Sequence, residues 1–568
     1  MKLPKSNIKL GIPVSKLIEA IALFTLCIVL IVVEVKYRGA KPAAHVSNAE
    51  NTEVAEVVDY TAAAVAGTEP QNLINEQTVI VDGAAAEGFT MAEPISFDDA
   101  GSYFKLTGIP TFRGNNYRNG ASIGTANVSE GKLNKVYEKI TSALQAPDGN
   151  VWTGSGWTGQ PLVAQWPYET RQIMTYMYDW ARNKETLTEV IYATMDGFVY
   201  FFELETGEAT RDPLFLGYTF KGAGALDPRG IPILYVGAGY QSMQGDGRVL
   251  VVSLVDGSLM YTFGAADGYA SRTWSMYDAS PLVDAETDQL IYPGENGLLY
   301  IVKLNTAYDE AAGTLNMYPN EPIRWRYNGV RTGTAFWVGV EASPVCWSHY
   351  LYMADNGGNF MCLDLNNLQL VWVQNVLDDT NCTPVLETED GHPYLYISTS
   401  FHAGWRAAEN STAVIPVWKI DGLSGEIVWQ HDYTCETQSG VSGGVQGTMA
   451  LGKNELSNLL FVPVARTGGS TASAGILAAL DKQTGETVWE FPTVIYSWSS
   501  PVDFYTESGK GYLIYCTSGG YMYLLDGKTG EKLDGIDLDG NIEASAVMVN
   551  DMVVVGHRSQ RIFGIKVS

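Results

Sequence analysis

From Thr111 to the last residue, short apolar runs of strand length alternate with clusters of Gly, Pro, Asn and Asp. No long stretch in this region carries apolar residues at helical spacing, so the pattern predicts strands and tight turns. A typical unit reads Tyr350-Leu351-Tyr352-Met353, a glycine turn, then Phe360-Met361-Cys362-Leu363-Asp364 and a short outer run. Each unit opens on a small residue, often with Pro, followed by apolar residues. These openings lie at Gln160-Pro161, Gly224-Ala225, Ser280-Pro281, Ser343-Pro344, Thr383-Pro384, Gly447-Thr448, Ser500-Pro501 and Ser545-Ala546. Eight units of four strands predict an all-β fold over residues 106–568, an eight-bladed β-propeller of four-stranded antiparallel blades. The last unit, Asn541 to Val567, has three strands, and the run Lys132–Ile140 has no unit of its own. Residues 132–140 are therefore expected to close the last blade, which removes an exposed sheet edge and ties the chain ends together.

One phrase recurs within the units. Asp481 stands eight residues before Trp489, Asp421 eight before Trp429, and Asp364 eight before Trp372. Between Asp481 and Trp489 lies Lys482-Gln483-Thr484-Gly485, with Gly485 where a tight turn needs positive φ. A Trp on an outer strand has a large ring to bury and one N–H to satisfy, so docking on the next blade is its expected role. Asp364, Trp372, Asp421, Trp429, Asp481, Gly485 and Trp489 are thus read as blade-docking residues, not as catalytic ones.

The N-terminal pattern is different. Residues 1–16 carry four lysines and no acid, and residues 17–35 are apolar except for Glu19, Thr25 and Glu34. With its flanks this run approaches the roughly 20 residues that cross a bilayer. It is followed by Glu34-Val35-Lys36-Tyr37-Arg38 and not by small residues, which favours an uncleaved anchor over a signal peptide. Residues 1–16 are expected to be cytoplasmic, 17–35 to form a transmembrane signal anchor in the cell membrane, and the propeller to lie outside the cell. Residues 36–105 are rich in Ala and Glu, with no Lys or Arg between Lys41 and Lys105. They are expected to form a disordered, self-repelling stalk.

Composition narrows the partners. Asp and Glu number 63 against 36 Lys and Arg, a net charge of −27. This argues against nucleic acid as a partner. Cys346, Cys362, Cys382, Cys435 and Cys516 form no CxxC, CxxCH or vicinal pair, and are read as small buried hydrophobes. The six histidines form no zinc pattern, and no metal site is expected. Gly440-Val441-Ser442-Gly443-Gly444 matches G-x-S-x-G but no helix follows it, so it is read as a loop.

The candidate ligand surface lies in the loops before the inner strands, which gather aromatics and cations at one mouth of the central channel. Trp157, Gln160, Arg272, Trp274, Arg331, Trp337 and Trp498 are the candidates. Stacking and forked hydrogen bonds from such residues suit a sugar, a peptide or a cell-wall fragment. The alternative is that the Trp side chains plug the channel and pack the inner strands.

The phrase A-x-D-x-x-T-G-x-x-x-W resembles the repeat of the pyrroloquinoline-quinone-type (PQQ-like) propellers. Ala479, Asp481, Thr484, Gly485 and Trp489 match it fully, while Asp526, Thr529 and Gly530 match with Asp534 in place of Trp. The early units depart further: Glu203, Thr206 and Gly207 precede Arg211, and Ser253 and Gly257 precede Tyr261. The resemblance implies one of two classes: quinoprotein dehydrogenases, which hold the quinone and Ca²⁺ in the central funnel, or non-enzymatic scaffolds such as outer-membrane assembly lipoproteins. The vicinal cysteines and haem motif of the alcohol-type enzymes are absent here. A membrane-anchored binding or assembly scaffold without cofactor, engaging a protein or a cell-wall glycan, is the expectation. A PQQ- and calcium-dependent oxidoreductase and a surface carbohydrate binder remain as alternatives.

Overall fold

The computed structural model describes residues 60–568 except 157–158, 241–244, 331–337, 403–410, 439 and 469–472. The residues expected to form the cytoplasmic end (1–16), the anchor (17–35) and the first part of the stalk (36–59) lie outside this range. Among the described residues no helix is long and apolar enough to cross a membrane.

Eight antiparallel sheets follow one another around a ring. Their inner strands begin at Leu162, Ala225, Leu282, Val345, Val385, Ala450, Val502 and Val547, each within or no more than two residues after one of the eight predicted openings. Blade 3 is representative: Leu282–Asp284 pairs with Gln289–Pro293, which pairs with Leu298–Lys303 and then Ile323–Gly329. Its second strand is buried at every position, because both of its faces pack against neighbouring blades. Outer strands such as Thr487–Thr493 are largely exposed. Accordingly the core is distributed: each neighbouring pair of blades shares its own apolar cluster, including the pair formed by blades 8 and 1. The five cysteines are free and buried within it.

The ring closes as expected. Leu133–Ile140 pairs with Arg561–Val567 as the outer strand of blade 8. On its far side Tyr137 covers Gly207 of blade 1 and donates its hydroxyl to Leu204 O at 3.0 Å.

The recurring phrase fastens blade to blade. Trp372, Trp429 and Trp489 donate Nε1–H to the carbonyls of Gly422, Lys482 and Gly527 in the next blade, at 2.9, 2.9 and 3.2 Å. A Cβ on Gly425, Gly485 or Gly530 would fall within 2.7 Å of the docked indole. Glycine is therefore required there for contact as well as for its positive φ. The aspartates shape the turn: Asp481 Oδ1 accepts from Gln483 N and Thr484 N, and Asp421 and Asp364 act similarly. Where Asp534 replaces Trp, its carboxylate accepts from Leu133 N at 2.9 Å and ties blade 7 to the closing strand.

The stalk expectation is corrected from Tyr60 onward. Ile74–Val81 adds a fifth strand to the outer edge of blade 3, and Ala84–Ala86 folds back on it. Thr68 bonds to blades 4 and 5 through Val373 and Ser424. Ile95, Phe97 and Tyr103 are buried under blades 3 and 4. The segment is a belt rather than free chain. Its few large side chains reach apolar surface that the propeller supplies, so its own low hydrophobicity does not decide its order.

Candidate functional site

The belt leads into the channel itself. Gly108–Ile109 pairs with the inner strand of blade 1, and Ser122–Ile123 runs parallel to the inner strand of blade 8. Between them Thr111–Gly120 crosses the axis and bonds to almost every blade. Asn116 reaches Cys346 O, Asn119 reaches Leu386 O, Arg118 reaches Pro344 O and Ser280 O, and Arg113 reaches Pro501 O. This plug fills one end of the channel with charged and amide side chains that donate to backbone carbonyls.

Above the plug, the small residues that open blades 3 to 8 form an arc of hydrogen bonds. Ser280 N donates to Ser343 Oγ, Ser343 N to Thr383 Oγ1, Thr383 N to Thr448 Oγ1, Thr448 N to Ser500 Oγ, and Ser500 N to Ser545 Oγ, at 2.9–3.2 Å. Ser545 N extends the arc to Gly159 O, just before the inner strand of blade 1. A hydroxyl at these positions satisfies a backbone donor of the blade before it, which is why Ser and Thr recur there.

At the other end the channel opens. The loop between the second and third strands of blade 2 and the loop before the inner strand of blade 3 surround a cavity of about 800 Å³ lined by Tyr240, Asp246, Asp267, Arg272, Trp274 and Met276, among others. The Arg272 guanidinium lies 4.5 Å from the Trp274 ring centre, and Trp274 keeps 40% of its surface exposed. Arg272 also bonds to Glu295 O and, at 2.7 Å, to Asn356 Oδ1. Its planar head is thus fixed, and a flat polar ligand would find both a stacking face and hydrogen-bonding groups.

Next to Arg272 lies a group of carboxylates drawn from several blades. Asp278 pairs with Lys221 at 2.9 Å, and Glu295 faces Arg272 at 3.6 Å. Asn356 Nδ2 donates to Asp379 Oδ1 at 2.8 Å and Glu341 Oε1 at 3.2 Å. Burial pushes Asp278 up to about 6, with Lys221 opposing the shift and Glu341 adding to it. Burial, reinforced by Glu341, also holds Glu295 and Asp379 well above the usual carboxylate range. Across the mouth, burial raises Glu543 against the pull of Arg558. The mouth therefore concentrates acids that are poorly compensated for their depth.

The sequence candidates divide three ways. Arg272 and Trp274 line the cavity. Trp498 stands at the mouth of another sector, half-buried beside Tyr496 at 5.6 Å, with its Nε1 buried and unbonded. Gln160 is at the plug instead: its Oε1 accepts from Arg113 N at 3.1 Å and its Nε2 donates to Thr111 O at 3.3 Å. That placement corrects the expectation of a mouth residue, because Gln160 stands at the entry to the inner strand, where Ser280 stands in blade 3, and not in the loop above it. Trp157, Arg331 and Trp337 lie outside the described residues. The carboxylate group was missed in the sequence, although a signal exists. Asp278, Glu341, Asn381, Gln446 and Glu543 all stand two positions before the small opening residue of their unit.

These residues do not fit calcium with a quinone. Lys221 and Arg272 already occupy the cation positions against Asp278 and Glu295. Among the described residues no three His, Cys, Asp or Glu are grouped as a metal ion requires.

Fold and site together define an eight-bladed propeller with one end plugged and a polar, aromatic-flanked opening at the other. Among solved structures, BamB from Moraxella catarrhalis is similar at 13% identity over 77% of this chain and 98% of that one, with a TM-score of 0.42. Quinohemoprotein alcohol dehydrogenase from Comamonas testosteroni is similar at 12% identity over 81% and 80%, with a TM-score of 0.48. A europium-containing methanol dehydrogenase is similar at 12% identity over 81% and 98%, with a TM-score of 0.39. No family model and no curated protein matches the sequence. The blade count comes from this chain's own strand pairing.

Proposed function

We propose that the protein is a non-catalytic binding or assembly scaffold, held on the outer side of the cell membrane by residues 17–35, whose working surface is the open channel mouth. The observation that carries this reading is the roughly 800 Å³ cavity with the fixed Arg272 head against the half-exposed Trp274 ring. Ligand sites are typically concave, with a few fixed polar groups beside aromatic surface. The plug turns the ring into a cup, so recognition is confined to one face.

That same pair of side chains favours a glycan or peptide with a flat face as the occupant. The test is a glycan and peptide array probed with the full chain, followed by calorimetry with the best binder. Trp274→Ala is expected to weaken binding by about tenfold or more, as for an aromatic anchor at a binding centre. Binding unchanged in Trp274→Ala and Arg272→Met would place recognition elsewhere. Stoichiometric PQQ uptake with Ca²⁺ and dye-linked alcohol oxidation would overturn the non-catalytic reading. Deleting residues 17–35 is expected to move the protein from the membrane fraction to the soluble one.

A further inference from the structure

Arg272 and Trp274 both stand in the loop before the inner strand of blade 3, but the side chain that holds the Arg272 head comes from the next blade. Asn356 lies in the turn between Tyr350–Ala354 and Asn359–Asp364, the second and third strands of blade 4. Its backbone N–H donates to Gly339 O at 2.8 Å, which ties that turn to the loop before the inner strand of its own blade. Glu295 holds the corresponding place in blade 3, where its N–H donates to Met276 O at 3.0 Å. Both residues therefore start from a fixed backbone, and both meet Arg272.

They act on it differently. Arg272 donates Nε–H to Glu295 O, while Glu295 Oε2 stays 3.6 Å from Nη2. Asn356 Oδ1 accepts from Nη2 at 2.7 Å. A guanidinium offers donors only, so the amide presents its oxygen there and turns its NH₂ group to other acceptors. Those acceptors are Asp379 Oδ1 at 2.8 Å, from the loop before the inner strand of blade 5, and Glu341 Oε1 at 3.2 Å, from the loop before that of blade 4. Asn356 is only 4% exposed, so its orientation is set by these bonds and not by water. A neutral dipole in this place locates the Arg272 charge without cancelling it. Gly339 makes room for the arrangement, since a Cβ there would overlap the Arg272 head and Glu295 O.

We propose that Asn356 is the positioning residue of the mouth: its amide joins the Arg272–Trp274 pair of blade 3 to the acids of blades 4 and 5 and keeps the Arg272 head on the Trp274 ring. This rests on the reading of that pair as the ligand surface and adds the residue on which its geometry depends.

The test needs no ligand. Trp274 emission is measured on the full chain as the difference between each chain and the same chain carrying Trp274→Phe, with acrylamide as quencher. Trp274 keeps 40% of its surface exposed with Arg272 over the ring, so releasing Arg272 in Asn356→Ala should raise the quenching about twofold and shift the emission to the red. Asn356→Asp keeps the oxygen for Arg272 and loses both donors. Its carboxylate would face Asp379 and Glu341, with Asp378 and His402 behind Asp379 and with Glu295 beyond Arg272. Carboxylates that close are accommodated while they share a proton and repel once they lose it. Asn356→Asp is therefore expected to match the parent near pH 5 and Asn356→Ala near pH 9. A residue that only fills space would shift both variants alike at every pH. Unchanged Trp274 quenching in Asn356→Ala, or an Asn356→Asp signal independent of pH, overturns the assignment. A mouth that binds nothing would leave these results standing and would fail only the binding test with Trp274→Ala and Arg272→Met.

Discussion

The two ends of the axial channel solve the same problem in opposite ways. Both bring charged side chains off the solvent. At the plugged end, Arg118 distributes its charge over carbonyls from the chain's own plug and from blades 3 and 4, and nothing is left to titrate near neutral pH. At the open end, acids from blades 3, 4 and 5 stand close together with two cations between them, and their proton affinities rise. The first arrangement is what stability selects. The second is strained by its own charge and is the kind of arrangement kept for binding.

The largest effect should come from breaking the satisfied end. Arg118→Met removes five hydrogen bonds and strands buried carbonyls, and a loss of about 4 kcal/mol in denaturant unfolding is expected. A loss below about 1 kcal/mol would mean the plug is decorative.

Trp429→Ala gives the scale for an ordinary packed aromatic at the rim. It empties the contact with Gly485 and frees Lys482 O, for an expected loss of about 3 kcal/mol. If it cost more than Arg118→Met, the axis would not be the firmer of the two.

A third test uses pH to separate the regions. Asp278 binds protons more tightly folded than unfolded, so folding is favoured as pH falls through about 6 toward 4. Asp481, Asp526 and Asp534 have the opposite sign: their folded affinities are lowered, and the stability they add is lost as pH falls below the ordinary aspartate range. Thermal scans should show greater stability near pH 5 than near pH 7.5, and Asp278→Asn should flatten that slope. A slope unchanged in Asp278→Asn would move its origin from Asp278 to other groups, Glu295 and Asp379 first among them.

The smallest effect is expected for Trp274→Ala, within about 0.5 kcal/mol of the parent, because its ring keeps 40% of its surface exposed at the cavity wall, where it stacks on Arg272. A large loss would make Trp274 a structural residue and remove it from the binding site.

Much of this fold was legible because its rules are local. The openings at Ser280, Ser343, Thr383, Ser500 and Ser545, the Asp-to-Trp spacing and the spare strand at 132–140 each express a contact with the adjacent blade, which repeats. Depth along the axis is not local. Gln160 and Trp498 both precede an inner strand, yet one lies at the plug and the other at the mouth. The belt was hidden because Tyr60, Ile95, Phe97 and Tyr103 are far apart in a polar segment and take their apolar partners from blades hundreds of residues away. The acids of the mouth were hidden for a related reason. Asp278 and Glu341 share a place two residues before their unit's opening residue, but Glu295 and Asp379 do not, and the four come from separate loops that meet only when the ring closes.

The closing strand has a consequence in time. Leu133 pairs with Val567, and the plug that precedes it bonds to blades from one end of the sequence to the other. Neither can reach its place until the final residues are available, so the chain cannot mature as it emerges. It must wait, with apolar blade edges unsheathed, for its last segment to arrive. Until the end meets the beginning, those edges need shielding from other chains.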